Sequence, residues 1–467
     1  MHSKLNSNLS FNPFYIASLL LGGLINVASY GSLALLPVLA TFFIATYSVL
    51  TFTSLGGTYE RLMFLKVFSI GVMVSAIAAI YANQFQDPLQ ISKDAANFFN
   101  LATFSAEGLS LFEVERLSEG SLAIVIWRAI YDFFAIIGFE KMRYVGIFAN
   151  LIAVCLSGVL GIKIVRRIFG NDEARFHRLT ILFSFCGMFW LFAGIHNRDC
   201  WVLLAVTFLT YVWVRFITKP GFGLELLQLL FWNLLSVYYF QFLRSEFAFV
   251  PFAMTLAAVS ALFMSYGRKV NYLYYILNIL VIFVTAALII YSLESIMTIL
   301  RSGMEGYSSS SVSNSGANSL GVKLIIDQPI PIRLVFGSLY LFVFPIPFWS
   351  GFSFESAYFL FKSVNAIFFY FVIPMLCMGF IELVKYKSSR TPANLFITFL
   401  SLGFIIAVAG TSLETRHIGV FFTPILILAM IPDFSLRKNK NSYQIYLSII
   451  LFGVLCVHTL WVFIKLF

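Results

Sequence analysis

Long apolar runs separated by short polar stretches follow one another along almost the whole chain. A bilayer core about 30 Å thick needs roughly 20 apolar residues in helical conformation to cross it. Most of the runs reach that length, which predicts an all-α fold: a polytopic transmembrane helical bundle. The pattern predicts about thirteen spans, at 14–30, 32–52, 63–82, 144–163, 179–196, 200–217, 223–243, 247–265, 270–292, 357–384, 394–411, 418–432 and 443–464.

Three stretches fall outside this pattern and predict loops. Segment 83–143 is interpreted as a long structured extracytoplasmic loop with interfacial helices, because acids and apolar residues interleave over Glu107–Glu119. Segment 293–330 contains a low-complexity Ser-rich run and predicts an external loop. The apolar run Val335–Trp349 contains two prolines and ends in a tryptophan, so we expect it at the outer interface.

These segments give a five-part organisation. It consists of three N-terminal helices (1–82), a first extracytoplasmic loop (83–143), a transmembrane bundle (144–292), a second extracytoplasmic loop with its interfacial segment (293–356) and the C-terminal helices (357–467).

Composition supports a membrane protein and excludes other classes. Hydrophobic residues make up 60% of the chain and charged residues 11%, whereas a soluble fold needs roughly 25% charged residues. A soluble enzyme, a secreted disulfide scaffold and a disordered chain are excluded. The five cysteines are scattered, with no CxxC pair, which argues against a disulfide framework or a metal site. The first apolar run lacks a clear cleavage site and predicts a retained helix.

The distribution of Lys and Arg predicts the orientation. Segments 163–178, 268–269, 385–390 and 437–440 are basic, and cytoplasmic loops are enriched in Lys and Arg. This places the N-terminus in the cytoplasm and segment 83–143 outside. The net charge of +10 then reflects orientation in a membrane and predicts no nucleic-acid partner.

Charged residues recur at the predicted outer ends of several separate helices. Charges close to membrane depth are costly and usually line a cavity or pair with one another. We therefore expect a cavity that opens outward, although hydrated turns with local ion pairs are an alternative for each group. The candidate residues are Asp94, Arg198, Asp199, Arg244, Glu246, Lys362, Glu414, Arg416 and His417.

These residue types are suited to sugar transfer from a lipid phosphate. Arginine and lysine bind phosphate or pyrophosphate, and a carboxylate can take the proton of an attacking hydroxyl. The sequence contains no GxGxxG, Walker A or HExxH motif that would indicate nucleotide or zinc chemistry. No cofactor or resident metal site is predicted, and a requirement for a divalent cation is left open.

Four stretches resemble the multi-span glycosyltransferases of the GT-C type and related membrane proteins of polysaccharide assembly. Segment 92–102 resembles their first outer-loop motif, with Asp94 followed by aromatic residues, and segment 189–215 resembles their basic-Asp turn. Segment 344–349 is similar to a Pro-aromatic element, and Glu414-Thr415-Arg416-His417 followed by Pro424 resembles a late E-x-R-[YH]…P signature. The order of these elements matches over residues 85–432.

The resemblance implies a glycosyltransferase, or an O-antigen or capsule repeat-unit polymerase, in the bacterial cytoplasmic (inner) membrane with an extracytoplasmic active site. Its partners would be a polyprenyl-linked sugar donor, a glycan or lipid-linked acceptor, and membrane lipid. Asp94 would be the general base, and Arg416 with Arg198 or Arg244 would hold the departing phosphate.

The remaining candidates have supporting roles in this interpretation. Lys362 and His417 would add phosphate or sugar contacts, while Asp199, Glu246 and Glu414 would orient the arginines.

A transporter or lipid-linked oligosaccharide flippase is the alternative. Carriers place coupling charges near the bilayer midplane, often on broken helices. Charges at one end of the helices favour transfer, and charges at mid-depth favour transport.

Overall fold

The computed structural model describes residues 12–85, 93–103, 121–219, 223–266, 325, 328–353 and 355–466, and this part of the chain is helical, with no strand. The helices are α1 (Pro13–Tyr30), α2 (Leu35–Phe52), α3 (Thr58–Gln84), α4 (Lys93–Thr103), α5 (Ser121–Ile136), α6 (Arg143–Phe169), α7 (Glu173–Phe185), α8 (Gly187–Gly194), α9 (Asp199–Thr218), α10 (Leu224–Leu243), α11 (Val250–Tyr266), α12 (Ile330–Val343), α13 (Ala357–Lys385), α14 (Pro392–Thr411), α15 (Thr415–Gly419), α16 (Phe422–Leu428) and α17 (Arg437–Leu466).

The predicted all-α, multi-pass class is confirmed, while the count of about thirteen spans is not. Ten of the described helices are long and apolar enough to cross a membrane, or eleven if α7 and α8 count together as one bent span. The predicted span 270–292 lies outside the described residues. The predicted continuous helix 418–432 is wrong, because the chain there forms only short helices.

α3 and α6 form the centre of the bundle. Most of the apolar surface of both is buried, and α6 packs along α3 on one side and α9 on the other. By contrast α17 is almost wholly exposed and packs mainly against α13. Because the residues of α17 are apolar around much of its circumference, it has the character of a helix that contacts lipid.

The predicted span 179–196 is broken at Cys186, where α7 and α8 meet at 57°. Asn365 of α13 accepts a hydrogen bond at this break from the backbone N–H of Met188, at 3.3 Å, and its Oδ1 also lies 3.7 Å from Sγ of Cys186. A buried side chain from another helix therefore satisfies a backbone donor that the break leaves unpaired. Helix ends and kinks generally need such a partner for their free backbone groups.

Segment 418–431 connects the two ends of the bundle without forming one helix. Every residue in it is buried. Next to its start, His417 contacts Arg244; next to its other end, Arg175 Nε donates to the carbonyl of Met430 at 2.8 Å. We call this stretch the crossing segment. Irregular backbone at membrane depth is tolerated where protein buries it.

The two ends of the bundle differ in their charges. One contains Asp199, Arg244 and Glu414, and we call it the ion-pair end. The other contains the basic stretch 163–178, and we call it the basic end. Helix α6 runs from one to the other: Asn150, which bonds the turn before Asp199, and Lys163 of the basic stretch lie about 20 Å apart along its axis.

Helix α12 and the turn after it fall within the predicted interfacial segment. α12 has 14 residues and is about 21 Å long, too short to cross a 30 Å core. It packs against α14 and α13, and the backbone N–H of Phe348 in the following turn donates to Nε2 of His458 at 3.1 Å. Its placement at a membrane interface stays a prediction.

Two helices, α4 and α5, lie within the predicted loop 83–143. α4 packs on α5, and α5 packs on α6 and α10. The predicted amphipathic stretch Glu107–Glu119 lies outside the described residues, as does the Ser-rich run of 293–330.

Candidate functional site

Four separate parts of the chain bring charged side chains to the ion-pair end. Asp199 is the first residue of α9, and Arg244 is the C-cap of α10. Lys362 lies in the second turn of α13, and Glu414 precedes the short helix α15. Each charge lies at or near a helix end, so the bundle gathers them on one side and away from its middle.

Arg244 is the centre of a buried network. Its Nη1 lies 2.5 Å from Oδ1 of Asp199, and its Nε lies 3.0 Å from Oε2 of Glu246. Its Nη2 lies 2.5 Å from Nε2 of His417. Arg244 is 4% exposed and Asp199 fully buried, so this charge pair is shielded from water. A guanidinium uses several directed donors at once, which a lysine cannot reproduce.

The contact with Arg244 determines the tautomer of His417. A guanidinium can only donate, so Nε2 of His417 accepts. The proton must then be on Nδ1, which lies 2.9 Å from the hydroxyl oxygen of Ser412 and donates to it. Burial lowers the pKa of His417 well below its usual value, and the positive charges of Arg244 and Arg416 lower it further. His417 is therefore neutral.

A second group consists of the buried Lys362 and the partly exposed Glu414 and Tyr358. Nζ of Lys362 lies 2.7 Å from Oε1 of Glu414, and the Tyr358 hydroxyl donates to the same oxygen. Nζ of Lys362 also lies 4.3 Å from the centre of the Tyr358 ring. Burial alone would raise the pKa of Glu414, but Lys362 and Arg416 lower it to about 2. Glu414 is therefore ionised at neutral pH.

Arg416 lies between these two groups and is only partly buried. Asp199, Glu414 and Tyr358 are close enough to raise its pKa, against the lowering effect of burial, so the guanidinium is positively charged. Among the described residues, no carboxylate lies within ion-pairing distance of it, and its buried Nε has no hydrogen-bond partner. Arg416 therefore has donor capacity that the described protein groups do not use.

Arg198 belongs to the turn before α9 and faces α4. The centre of its guanidinium lies 5.5 Å from the centre of the Phe98 ring. Asp94 lies one helical turn before Phe98, on the same face of α4. The side chain of Asp94 lies outside the described residues, so the expected approach of Asp94 to Arg416 stays a prediction.

Eight of the nine candidate residues are therefore placed, and they lie around one end of the bundle. Lys362 and Arg244 are buried and paired with carboxylates, and Asp199 and Glu414 accept from them. An outward-opening cavity stays a prediction.

The sequence analysis missed the residues that hold the turn before α9. Asn150, in the third turn of α6, accepts from the indole N–H of Trp127 at 2.8 Å. Its amide donates to the carbonyls of Ile195 and Asn197, both at 3.1 Å. His196 lies against the Trp127 ring, with centroids 4.2 Å apart. An asparagine inside an otherwise apolar span is a signal that could have found this network.

Ser412 and Tyr358 were also missed. Ser412 is one of many serines near helix ends, and Tyr358 is one of 22 tyrosines, so neither is distinctive in the sequence.

A glycine allows this packing. A Cβ at Gly146 would overlap Nε2 of His196 and the hydroxyl of Tyr131, which accepts from the Gly146 backbone N–H at 3.2 Å. Only a residue without a side chain lets α6 approach these rings so closely.

Metal ligands are not grouped in the part of the chain that the structure describes. No three His, Cys, Asp or Glu side chains there are close enough together to hold a metal ion. A requirement for a divalent cation stays an open prediction.

Comparison of this chain with protein-family models, with curated proteins and with solved structures finds no match, so its residues and geometry are the basis for any functional conclusion.

Proposed function

We propose that this protein is an integral-membrane glycosyltransferase or repeat-unit polymerase of bacterial surface polysaccharide assembly. Its donor would be a sugar linked to polyprenyl phosphate or pyrophosphate, and its acceptor a glycan or lipid-linked glycan. The proposed location is the cytoplasmic (inner) membrane, with the active site on the extracytoplasmic face. One observation supports this most: Arg416 keeps unused donors between two ion-pair groups at one end of the bundle.

Arg416 is the proposed ligand of the lipid phosphate. Its partial exposure allows contact with a ligand, and neighbouring acids keep it charged. Arginine forms two parallel hydrogen bonds to a phosphate group, which gives both strength and direction. Arg198, also partly exposed at the turn before α9, is the proposed second contact.

Arg244 and Lys362 have a different role in this proposal from the direct phosphate binding expected from the sequence. Both are buried and held by carboxylates, so we assign them to positioning. Arg244 fixes Asp199, Glu246 and His417. Because both ring nitrogens of His417 take part in hydrogen bonds, His417 also acts through Arg244.

Lys362 in turn fixes Glu414, two residues before Arg416. This pair therefore determines where the chain presents Arg416. Preorganised charges of this kind stabilise developing negative charge without reorganising during the reaction.

The proposed reaction is a direct transfer of the donor sugar to the acceptor hydroxyl. The acceptor hydroxyl gives its proton to the carboxylate of Asp94, and its oxygen attacks the anomeric carbon of the donor sugar. The bond between that carbon and the phosphate oxygen breaks, and the lipid phosphate leaves with the electron pair. Arg416 and Arg198 stabilise the negative charge of the leaving phosphate.

A lipid-linked oligosaccharide flippase or other carrier is the second candidate. Two observations favour it: the break between α7 and α8 and the crossing segment are the kind of discontinuous helices that carriers use. The positions of the charges favour transfer, since the described candidate residues lie at helix ends.

An assay that follows the donor distinguishes the two candidates. The full-length protein is reconstituted in liposomes with a polyprenyl-pyrophosphate-linked sugar donor and a lipid-linked acceptor. Transfer predicts formation of a glycosidic product and release of the lipid phosphate. Redistribution of intact donor between the leaflets, without product, would contradict transfer and support the carrier.

Glycan profiles of a deletion strain separate the two kinds of transferase. Loss of long chains with retention of a single capped unit indicates a polymerase. Truncation within the repeat unit indicates a transferase that adds one sugar.

A further inference from the structure

A second site lies at the basic end of the bundle, about 20–30 Å along α6 from Asn150, which bonds the turn before Asp199. A cavity of about 470 Å³ opens there between the last turns of α6, the turn that follows it, and α9. Small-molecule sites typically have volumes of 300–1,000 Å³. The lining residues are Lys163, Arg166, Arg167, Gly170, Asn171 and Tyr211.

The cavity has an excess of positive charge. Three of its lining residues are cationic, and none of the described lining residues is a carboxylate. The nearest acid in the following turn, Asp172, pairs with Arg175 outside the cavity. Among the described carboxylates, only that of Glu60, which forms a two-point contact with Arg166, offsets a lining charge. Three cations against one carboxylate leave an excess of two positive charges.

The three cations differ in how freely they can bind a ligand. Arg166 is oriented by the buried carboxylate of Glu60. Lys163 donates one hydrogen bond to the carbonyl of Ser54 at 2.8 Å and keeps two further ammonium protons. Arg167 is exposed, and it forms no ion pair with any described carboxylate. The amide of Asn171 and the hydroxyl of Tyr211 add neutral hydrogen-bonding groups.

We propose that this cavity binds a phosphate group of an anionic ligand. Arg167 and Lys163 contact the phosphate, Arg166 is held in place by Glu60, and Tyr211 and Asn171 contact its ester oxygens or an attached glycerol. The cavity opens beside α6 and α9, which both have the length and composition of membrane spans, so an anionic phospholipid head group can reach it. A soluble phosphate or pyrophosphate is the other source of the same chemistry.

This inference is independent of the proposed glycosyl transfer, because the two sites share no residue. It also gives the basic stretch 163–178 a role besides orientation in the membrane.

Binding measurements on the purified full-length protein test the proposal. The probes are phosphatidylglycerol, cardiolipin and phosphatidylcholine in mixed micelles, and inorganic phosphate and pyrophosphate in buffer. Lipid retention is read by native mass spectrometry, and binding of every probe by the shift of the thermal unfolding midpoint. The variants are Arg167→Gln, Lys163→Gln and Tyr211→Phe. Arg437→Gln is the control, since it removes an exposed arginine outside the cavity lining.

We expect the wild-type protein and the Arg437→Gln control to bind the anionic lipids equally well, and Arg167→Gln to bind them about tenfold more weakly. Binding of phosphate or pyrophosphate alone, with the same dependence on Arg167, supports the phosphate site with a soluble ligand. Equal binding of phosphatidylcholine, or equal affinities of Arg167→Gln and Arg437→Gln, would overturn the proposal. Because Arg167 is exposed, its replacement leaves the fold intact, which the midpoint without ligand verifies.

Discussion

Nη2 of Arg244, at the end of α10, lies 2.5 Å from Nε2 of His417, at the start of the chain's return across the bundle. The contact joins positions 173 residues apart and buries both side chains. Burial, helped by the positive charge of Arg244, keeps the imidazole neutral, and the contact gives Arg244 a third partner besides its two carboxylates. Stability and pH dependence at this end of the bundle both depend on it.

Arg244→Ala should destabilise the protein strongly. The substitution leaves the buried carboxylate of Asp199 without its ion pair, and breaking a buried pair typically costs about 3–5 kcal/mol. Arg244→Lys keeps the charge but cannot reach Asp199, Glu246 and His417 together, so we expect an intermediate loss. Thermal unfolding in detergent measures both. A melting midpoint of Arg244→Ala equal to that of wild type would contradict the network described above.

His417→Gln should reduce the loss of stability in acid. The folded pKa of His417 lies below its unfolded value of about 6.5, so below that pH the unfolded chain binds a proton that the folded protein does not. One such proton costs about 1.4 kcal/mol of stability between pH 7.5 and pH 5.5. Glutamine keeps an acceptor for Arg244 and does not titrate. The stability of the His417→Gln protein should therefore vary less over this pH range than that of wild type. Identical pH slopes for variant and wild type would remove His417 from this role.

Lys362→Met and Glu414→Gln should each destabilise the protein more than the two changes combined. Lys362→Met leaves the partly exposed carboxylate of Glu414 without its ammonium partner, and Glu414→Gln leaves the buried ammonium of Lys362 without a carboxylate, whereas the double change removes both charges. We expect a coupling free energy of about 1–3 kcal/mol from the four unfolding measurements. Additive effects would mean that the 2.7 Å contact contributes little.

The pKa of Glu414 predicts that its contribution to the free energy of unfolding is constant near neutral pH. Its folded pKa, about 2, lies below the ordinary value of 4.5. The stabilisation is therefore fully present above about pH 4.5 and is lost as the pH falls toward 2. Between pH 6 and 8, the stability difference between wild type and Glu414→Gln should be constant.

Arg416→Ala should lower transfer while leaving the protein folded. Removing one preorganised hydrogen-bond donor to a developing negative charge typically lowers kcat by a factor of about 10²–10³. Arg416→Lys keeps the charge but loses the two-point geometry, so partial activity is expected. Product formation in the liposome assay is the measurement. The control is Arg437→Ala, since Arg437 is exposed outside the ion-pair end; equal activity of the two alanine variants would exclude Arg416 as the phosphate ligand.

Asp94→Asn should abolish polymer in cells at an unchanged protein level. An amide cannot take the acceptor's proton, whereas the geometry of the side chain is nearly retained. Asp87→Asn is the matched control in the same predicted loop. Normal polymer in Asp94→Asn would remove this residue from the mechanism.

Most of the helices could be predicted from hydropathy because a spanning helix must satisfy its backbone internally and present apolar residues to lipid. For this reason the predicted span 394–411 agrees closely with the observed helix α14, Pro392–Thr411. Hydropathy did not reveal the break in the crossing segment, since its composition is equally apolar; Pro424, in the first turn of α16, was the signal in the sequence. The backbone of the crossing segment is buried by neighbouring helices, and a hydropathy window contains no information about those neighbours.

The candidate site was partly predictable for a similar reason. Charged residues in a largely apolar chain are conspicuous, and helix ends at one side of a bundle must lie near one another. Which charges pair could not be predicted, because the pairing of Arg244 with Asp199 depends on the packing of α9 against α10. Asn150 is conspicuous as an amide inside an apolar span, but its partners at Ile195 and Asn197 depend on the packing of α6, and Ser412 resembles many other serines near helix ends.

The crossing segment also bears on the biogenesis of the protein. Its short helices leave peptide groups that only surrounding protein can shield, so the stretch cannot be released sideways into lipid as an independent helix when it emerges from the ribosome. Its burial is complete only when α6, α13 and α14 have assembled around it. The last helix, α17, is synthesised after it and can anchor the chain while the crossing segment packs into the bundle.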